Sequence, residues 1–399
     1  MRKPFIKYLV SSPDGDIPVN AGMLDVSLEC DPYETPYRVY FQSIEEFLKQ
    51  DEFIPLLHAA SRKLDKEYSP RDEISEILIR AEKHGLLYHP ASIELILGGR
   101  KAKFGLNVAV TDTGKTWLRE EISLLQRLHS KYKLPYLPEV HISGELNSFV
   151  FLLEDWFEGY HEFHLTCDEE RKQKMQLWKF GTGYLNLTDT QGFEIYRQAS
   201  KILTLYYDPE NFNYIYPWHH AAGDFIVKME HEKNPPLPPF SKGGDTKSPT
   251  LAKGDSGGFS DKTIDVRLTT ARRYRPLLDF QKNEINPLFA LFYFFLHLSL
   301  HMRLDKIDGV GEVVWAKDYS VDAAVQGFLE ALRGKNYFNN YPSRYEEFID
   351  LLRSFTLDEL KVSFNPLLDL YAGTKDLPVI GMNLDKHAEK LYHAIQIRL

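Results

Sequence analysis

The chain has 399 residues, 43% of them hydrophobic and 13% aromatic, enough to bury a large core in two or three lobes. Its 48 basic and 57 acidic residues leave a net charge of −9. That balance argues against nucleic acid as the main partner, because a duplex binder gathers cationic surface to displace counterions.

Met1-Arg2-Lys3-Pro4-Phe5 opens a segment that is too polar by Asp14 to serve as a secretory leader. The two cysteines, Cys30 and Cys167, are far apart, which excludes a disulfide framework and a thiolate metal site and predicts a reducing, cytoplasmic compartment. Residues 1–85 read as an N-terminal accessory region. Phe5 to Val10 predicts a strand, and Pro13-Asp14-Gly15 a turn. Ser43 to Leu57 predicts a helix, with Ser43 as N-cap and Glu46 completing a capping box. Pro70 to His84 has the helical period through Ile74, Ile77, Leu78 and Ala81, with Gly85 as the stop.

Ala91 to Leu97 and Phe104 to Val110 alternate as strands across the Gly98-Gly99 turn. After a turn at Asp112 to Gly114, a helix is expected from Thr116 to Ser130, with Leu118, Ile122, Leu125 and Leu128 on one face. Phe149 to Leu153 is a third strand, and Glu154-Asp155-Trp156 follows it. Cys167 to Tyr207 reads as mainly helical, and Phe225 to Met229 and Ile264 to Leu268 as strands. Between them, residues 234–261 hold Pro, Gly, Ser and Lys with almost no branched aliphatics, which predicts a disordered insertion at a hairpin tip. Ile285 to Met302 is strongly apolar, but its uninterrupted run is far short of the ~20 residues a bilayer requires. It predicts a buried helix with Pro287 in the first turn and no membrane partner. Glu312 to Trp315 predicts a strand, and Val321 to Leu332, Ser343 to Phe355 and Leu384 to Ile397 predict helices.

A small sheet, a helix bearing carboxylates, an acidic hinge-like segment and a helical region, in that order, resemble the protein-kinase and aminoglycoside-phosphotransferase fold over residues 91–305. The resemblance implies an α+β, two-lobed fold: a β-rich N-lobe over 86–155 and a helical C-lobe over 156–399. It also implies magnesium and ATP as cofactors, because phosphoryl transfer needs a cation on the phosphates and oxygen ligands for the metal.

Several letters of that site are altered. Glu121 lies on the apolar stripe of its helix, where a carboxylate needs a partner. The strand before it, Leu106 to Val110, lacks the family's lysine, leaving Lys101, Lys103 and Lys115 as nearby substitutes or solvated strand-end and turn residues. Gly223-Asp224-Phe225-Ile226-Val227 resembles the catalytic-loop exit, with Asp224 in place of asparagine. His219 falls where the base aspartate would stand, so the resemblance implies His219 as proton acceptor and Asp224 as catalytic metal ligand. Asp279 is a candidate second metal ligand, since Thr269 and Thr270 occupy the family's aspartate position. Glu154 stands where a hinge meets the base, and Arg272, with Arg273 and Arg275, could hold an anion bidentately or form a solvated turn. His161 and His164 offer a zinc pair only if a third ligand joins them. Two functions are consistent with these letters: a metal-dependent phosphotransferase on an unknown acceptor, or a catalytically inactive pseudokinase that binds or scaffolds. An unrelated α+β hydrolase is weak, because neither GxSxG nor HExxH occurs.

Overall fold

The computed structural model describes residues 4–12, 15–68, 74–82, 85, 87–179, 182–218, 223–231, 262–277, 286–309, 311–335 and 342–399. The predicted insertion at 234–261, His219 and Asp279 lie outside them. Strands β1 (Phe5–Ser12) and β2 (Gly15–Pro18) form an antiparallel hairpin. Helices α1 (Tyr37–Leu48) and α2 (Ile54–Leu64) come next. Pro36 ends the extended approach to α1, so Ser43 and Glu46 fall inside that helix and form no capping box there. They accept the Asn147 amide instead, at 3.4 and 2.7 Å.

Strand β3 (Ile74–Ala81) corrects the helix expected over Pro70 to His84. Ile74, Ile77 and Ala81 meet a helical period, but Ile77, Ile79 and Ala81 also alternate inward, and the segment is rich in β-branched isoleucine. The tie is broken by partners, since β3 pairs with β1 in parallel and with β4 (Ala91–Leu97) antiparallel. Then come β5 (Arg100–Ala109), α3 (Asp112–Tyr132), β6 (Val140–Leu146) and β7 (Phe149–Asp155). The turn expected at Asp112 to Gly114 is the first turn of α3, because the Thr111 side chain caps it by accepting from the Gly114 amide.

These strands form one seven-stranded sheet in the order β2-β1-β3-β4-β5-β7-β6. The strands of residues 1–85 therefore share a single sheet with those of residues 91–155. Each face of the sheet has its own core. Phe104, Leu106, Val108, Phe151 and Leu153 pack toward α1 and α2, while Ala109, Val150 and Leu152 pack toward α3 and the rest of the chain. Burial on both faces explains why β7 is one uninterrupted apolar run.

A second sheet begins with β8 (His161–Cys167), β9 (Gln173–Lys179) and β10 (Gly183–Leu187), which replace the helix expected from Cys167 onward. Phe163 with Leu165 and Met175 with Leu177 are buried at period two, and β8 pairs with β9, so the alternation sets the fold here. Helix α4 (Asp189–Leu205) starts only at a Thr188/Gln191 capping box. After β11 (Asn213–Ile215), strands β12 (Phe225–His231) and β13 (Lys262–Leu268) pair antiparallel and complete the order β10-β9-β8-β12-β13. The Gln198 side chain of α4 covers the β13 edge, donating to the Ile264 carbonyl at 2.6 Å and accepting from the Val266 amide at 3.1 Å.

Strand β14 (Tyr274–Pro276) leads on to α5 (Pro287–His301), whose Pro287 start fits the expectation and whose first turn is capped by the Asn286 side chain. Among the described residues no helix is long and apolar enough to cross a membrane, and α5 lies largely buried in the protein. The β15 (Leu304–Lys306) and β16 (Val313–Trp315) pair follows, then α6 (Tyr319–Gly334), α7 (Pro342–Ser354), α8 (Leu357–Ser363) and α9 (Asp376–Arg398). The fold is α+β. Arg303, which leaves α5 beside Asp305, donates to Asp318 at 2.8 Å.

Helices α4 and α6 cross very closely. A Cβ on Gly327 of α6 would stand 2.0 Å from the Arg197 carbonyl of α4, whereas one on Gly334 meets nothing within 4 Å. Gly327→Ala is therefore expected to cost about 1–3 kcal/mol, read from the denaturant midpoint, while Gly334→Ala holds or gains stability. At the end of α6, the buried Lys335 ammonium donates to the Tyr207 carbonyl. Burial pulls its pKa down to about 7, against the opposing pull of Asp208. Above about 7, and up to its ordinary value of 10.5, the unfolded chain holds a proton that the folded chain lacks, so stability rises with pH across that window. Below it the full burial penalty stands. Lys335→Met should be the more stable protein at neutral pH, with its advantage shrinking by up to about 1.4 kcal/mol per pH unit as the window is climbed.

Candidate functional site

Four of the residues singled out in the sequence, Glu121, Glu154, Asp224 and Arg272, converge where α3 meets the β12–β13 hairpin. Leu118, Leu125 and Leu128 bury one face of α3 and carry Glu121 inward with them. Glycine at 114 lets the first turn of α3 approach residues 87–90, since a Cβ there would stand 2.3 Å from the Leu87 carbonyl. That approach brings the Tyr88 hydroxyl within 2.9 Å of Glu121 Oε2. From the other side, Thr270 donates its hydroxyl to Glu121 Oε1, and the Ala271 amide donates to the same oxygen at 3.1 Å. The buried carboxylate has its partners.

Asp224 leads directly into β12. The hairpin register places Phe225 opposite Leu268, and the Thr269 amide donates to the Asp224 carbonyl at 2.8 Å. Three residues further on, Arg272 turns back and grips the Asp224 side chain. Its Nη1 donates to Oδ2 at 2.9 Å and its Nη2 to Oδ1 at 2.8 Å, a two-pronged pair on a carboxylate only 1% exposed. Burial works to lower the arginine's pKa, but the charge and hydrogen bonds of Asp224, with Glu121 and Tyr88 beyond it, outweigh this and raise it.

Glu154, near the end of β7, belongs to the same neighbourhood. It is buried, and the Asn107 amide donates to it at 2.9 Å across the β5–β7 pair. Burial, then the charges of Glu121 and Asp155, raise its pKa well above the carboxylate range, which favours the protonated acid.

The structure thus brings Glu121, Glu154, Asp224 and Arg272 together and leaves Lys103 apart. Lys103 sits on the β5 face with Asn107, but its ammonium lies 4.1 Å from the centre of the Trp156 ring, and burial lowers its pKa. Lys101 pairs with Glu94 at 2.6 Å and Lys115 with Asp112 at 3.1 Å. The three arginines do not form one anion site, since Arg273 turns to the Trp117 ring while Arg272 points to Asp224. His161 and His164 are three residues apart on β8 and so face opposite sides of the sheet. Among the described residues no group of three metal-ligating side chains converges.

Tyr88, Asn107 and Thr270 were not picked out as partners by sequence reasoning. Asn107 had a signal: it is a polar residue inside an alternating strand, placed on the face opposite Phe104, Leu106 and Val108. Tyr88 and Thr270 had none, because their contacts with Glu121 span 33 and 149 positions. As arranged, Asp224 does not fit magnesium. Both Asp224 oxygens already accept from a guanidinium, and a divalent ion held there would have to displace it. Compared with protein-family models and with curated proteins, the chain matches none.

Arg272→Met should remove the guanidinium from the buried Asp224 carboxylate and destabilise the protein by about 3–5 kcal/mol. Adding Asp224→Asn to that variant should recover much of the loss. A double-mutant cycle in chemical denaturation checks this, with a large coupling energy as the expected outcome.

Proposed function

We propose that this chain is a kinase-like protein that does not transfer phosphate and works by binding. The strands β3-β4-β5-β7-β6, with α3 inserted between β5 and β6, support the kinase-like part. That arrangement resembles the five-stranded small lobe and its helix in the family inferred from the sequence. The pairing of Asp224 with Arg272 carries the rest. Where the family would present a metal ligand, this chain presents a carboxylate already neutralised by its own cation. Asn107 lies on the strand where the phosphate-binding lysine would stand, and it bonds to Glu154 while Glu121 is held by Tyr88, Thr270 and Ala271. The exposed free thiols of Cys30 and Cys167 suit a reducing, cytoplasmic setting.

The competing reading is a magnesium- and ATP-dependent phosphotransferase with His219 as base, Asp224 and Asp279 on the metal, and Lys103 or Arg272 on the phosphates. It requires Arg272 to release Asp224. Thermal denaturation with ATP, GTP or ADP, each with and without magnesium, separates the two. No magnesium-dependent rise in the melting temperature is expected. A rise that Asp224→Asn abolishes, accompanied by turnover of the nucleotide, would establish the phosphotransferase instead.

A further inference from the structure

Arg127, Arg273 and Arg275 stand where α3 meets β14, and among the described residues none of them forms an ion pair. The Arg127 guanidinium, on α3, lies 6.0 Å from the centre of the Tyr274 ring. That of Arg273, on the approach to β14, lies 4.3 Å from the centre of the Trp117 ring. Arg127 and Arg275 are exposed, and Arg273 is half-buried. Other cations of these segments are neutralised: Arg272 grips Asp224, Lys131 pairs with Asp208 at 2.8 Å and Arg119 with Glu145 at 2.6 Å. Of the acids at hand, Glu120 is exposed on α3 and Asp376 shares the field at Tyr216 with Arg275, and neither pairs with the three. Three arginines left together without an ion pair stand out in a chain of net charge −9.

Trp117 and Arg127 are about 15 Å apart along α3 and about 80° apart around it, so both serve one side of the helix. Arg273 at Trp117 and Arg127 at Tyr274 are therefore strung along that side and do not converge on a point. A single small anion would meet one of them, whereas an extended chain covers about 15 Å in about five residues. Acids at alternate positions of such a chain present a row of carboxylates to the row of arginines. A guanidinium over an aromatic ring keeps its in-plane N–H groups for a carboxylate, and the ring holds it in place beforehand. That lowers the side-chain entropy lost on binding. A nucleic-acid backbone needs a broader cationic surface than this one. We infer that this side of α3 and β14 docks an acidic, extended segment of a partner protein, with its carboxylates on Arg127, Arg273 and Arg275. This names a partner class for the binding function proposed above and rests on it only in that the chain works by binding. The peptide titration and the nucleotide denaturation use different probes, so either can fail while the other stands.

The test is fluorescence anisotropy of a labelled octaglutamate peptide titrated with the full chain, with octaserine, octalysine and octathymidylate as the other probes. Octaglutamate should bind with a Kd of about 100 μM or tighter at low salt, and each of the others at least about tenfold more weakly. Raising the salt concentration about tenfold should weaken octaglutamate binding several-fold. Arg127→Gln with Arg275→Gln, both at exposed positions, should lose about tenfold in affinity, and Arg273→Gln should add to that loss. Should Arg273→Gln prevent folding, the exposed pair carries the test alone. Arg171→Gln, exposed in the turn between β8 and β9, removes the same charge elsewhere and should leave the affinity unchanged. No octaglutamate binding up to about 1 mM, equal binding of octaserine, or tighter binding of octathymidylate would overturn the assignment. So would an affinity that the exposed pair leaves intact or that Arg171→Gln lowers as much.

Discussion

The two-pronged bond between Arg272 and Asp224 sets the geometry around which the middle of the molecule is assembled. A carboxylate this deeply buried costs several kcal/mol of desolvation unless a counter-charge and hydrogen bonds meet both oxygens. Arg272 does so from the segment leaving β13, and this brings Thr270 and Ala271 up to Glu121 on α3. One ion pair thus helps tie the second sheet to the helix lying against the first. The tie is polar and directional, so it specifies a geometry that apolar packing alone would leave loose.

The seven-stranded sheet is the other organising element. It is buried on both faces, and its two cores are filled by side chains that alternate along the same strands. Helices α1 and α2 close one side and α3 begins the other, so the N-terminal residues complete the sheet and do not form an appendage. Polar side chains on β5 such as Lys103 and Asn107 have to find partners on the α3 side. They do so differently, one at an aromatic ring and one at a buried acid. This divergence separates the cation from the carboxylates with which a phosphate-binding lysine would be grouped.

Charge is also partitioned between the two polar regions. In the buried network, guanidinium balances carboxylate, and Glu154 is pushed toward its neutral form by burial and then by its acidic neighbours. In the cleft between the sheets, Glu29, Glu82, Glu162 and Asp308 line the walls, and Glu29 and Asp308 reach solvent. A closed region can keep only charges it neutralises internally, whereas an open one leaves them to water.

Local pattern by itself determined much of this protein. The apolar stretch of α5 with Pro287 in its first turn, the alternating strands β4 and β5, the run of β7 and the helices over Val321 to Leu332, Ser343 to Phe355 and Leu384 to Ile397 follow from periodicity, whereas α8 was not read from the sequence. Even Glu121 was legible as a carboxylate in need of a partner. Tertiary structure decided the rest, for one physical reason: short segments can satisfy two periods at once. Ile74 to Ala81 and Gln173 to Lys179 became strands because neighbouring strands supplied backbone partners, and Ser43 fell inside a helix because Pro36 set an earlier start. The pairing of residue 224 with 272, and of 121 with 88 and 270, joins positions 33 to 149 apart, and no local rule reaches that far. Only the packed chain could turn a candidate metal ligand into half of an ion pair.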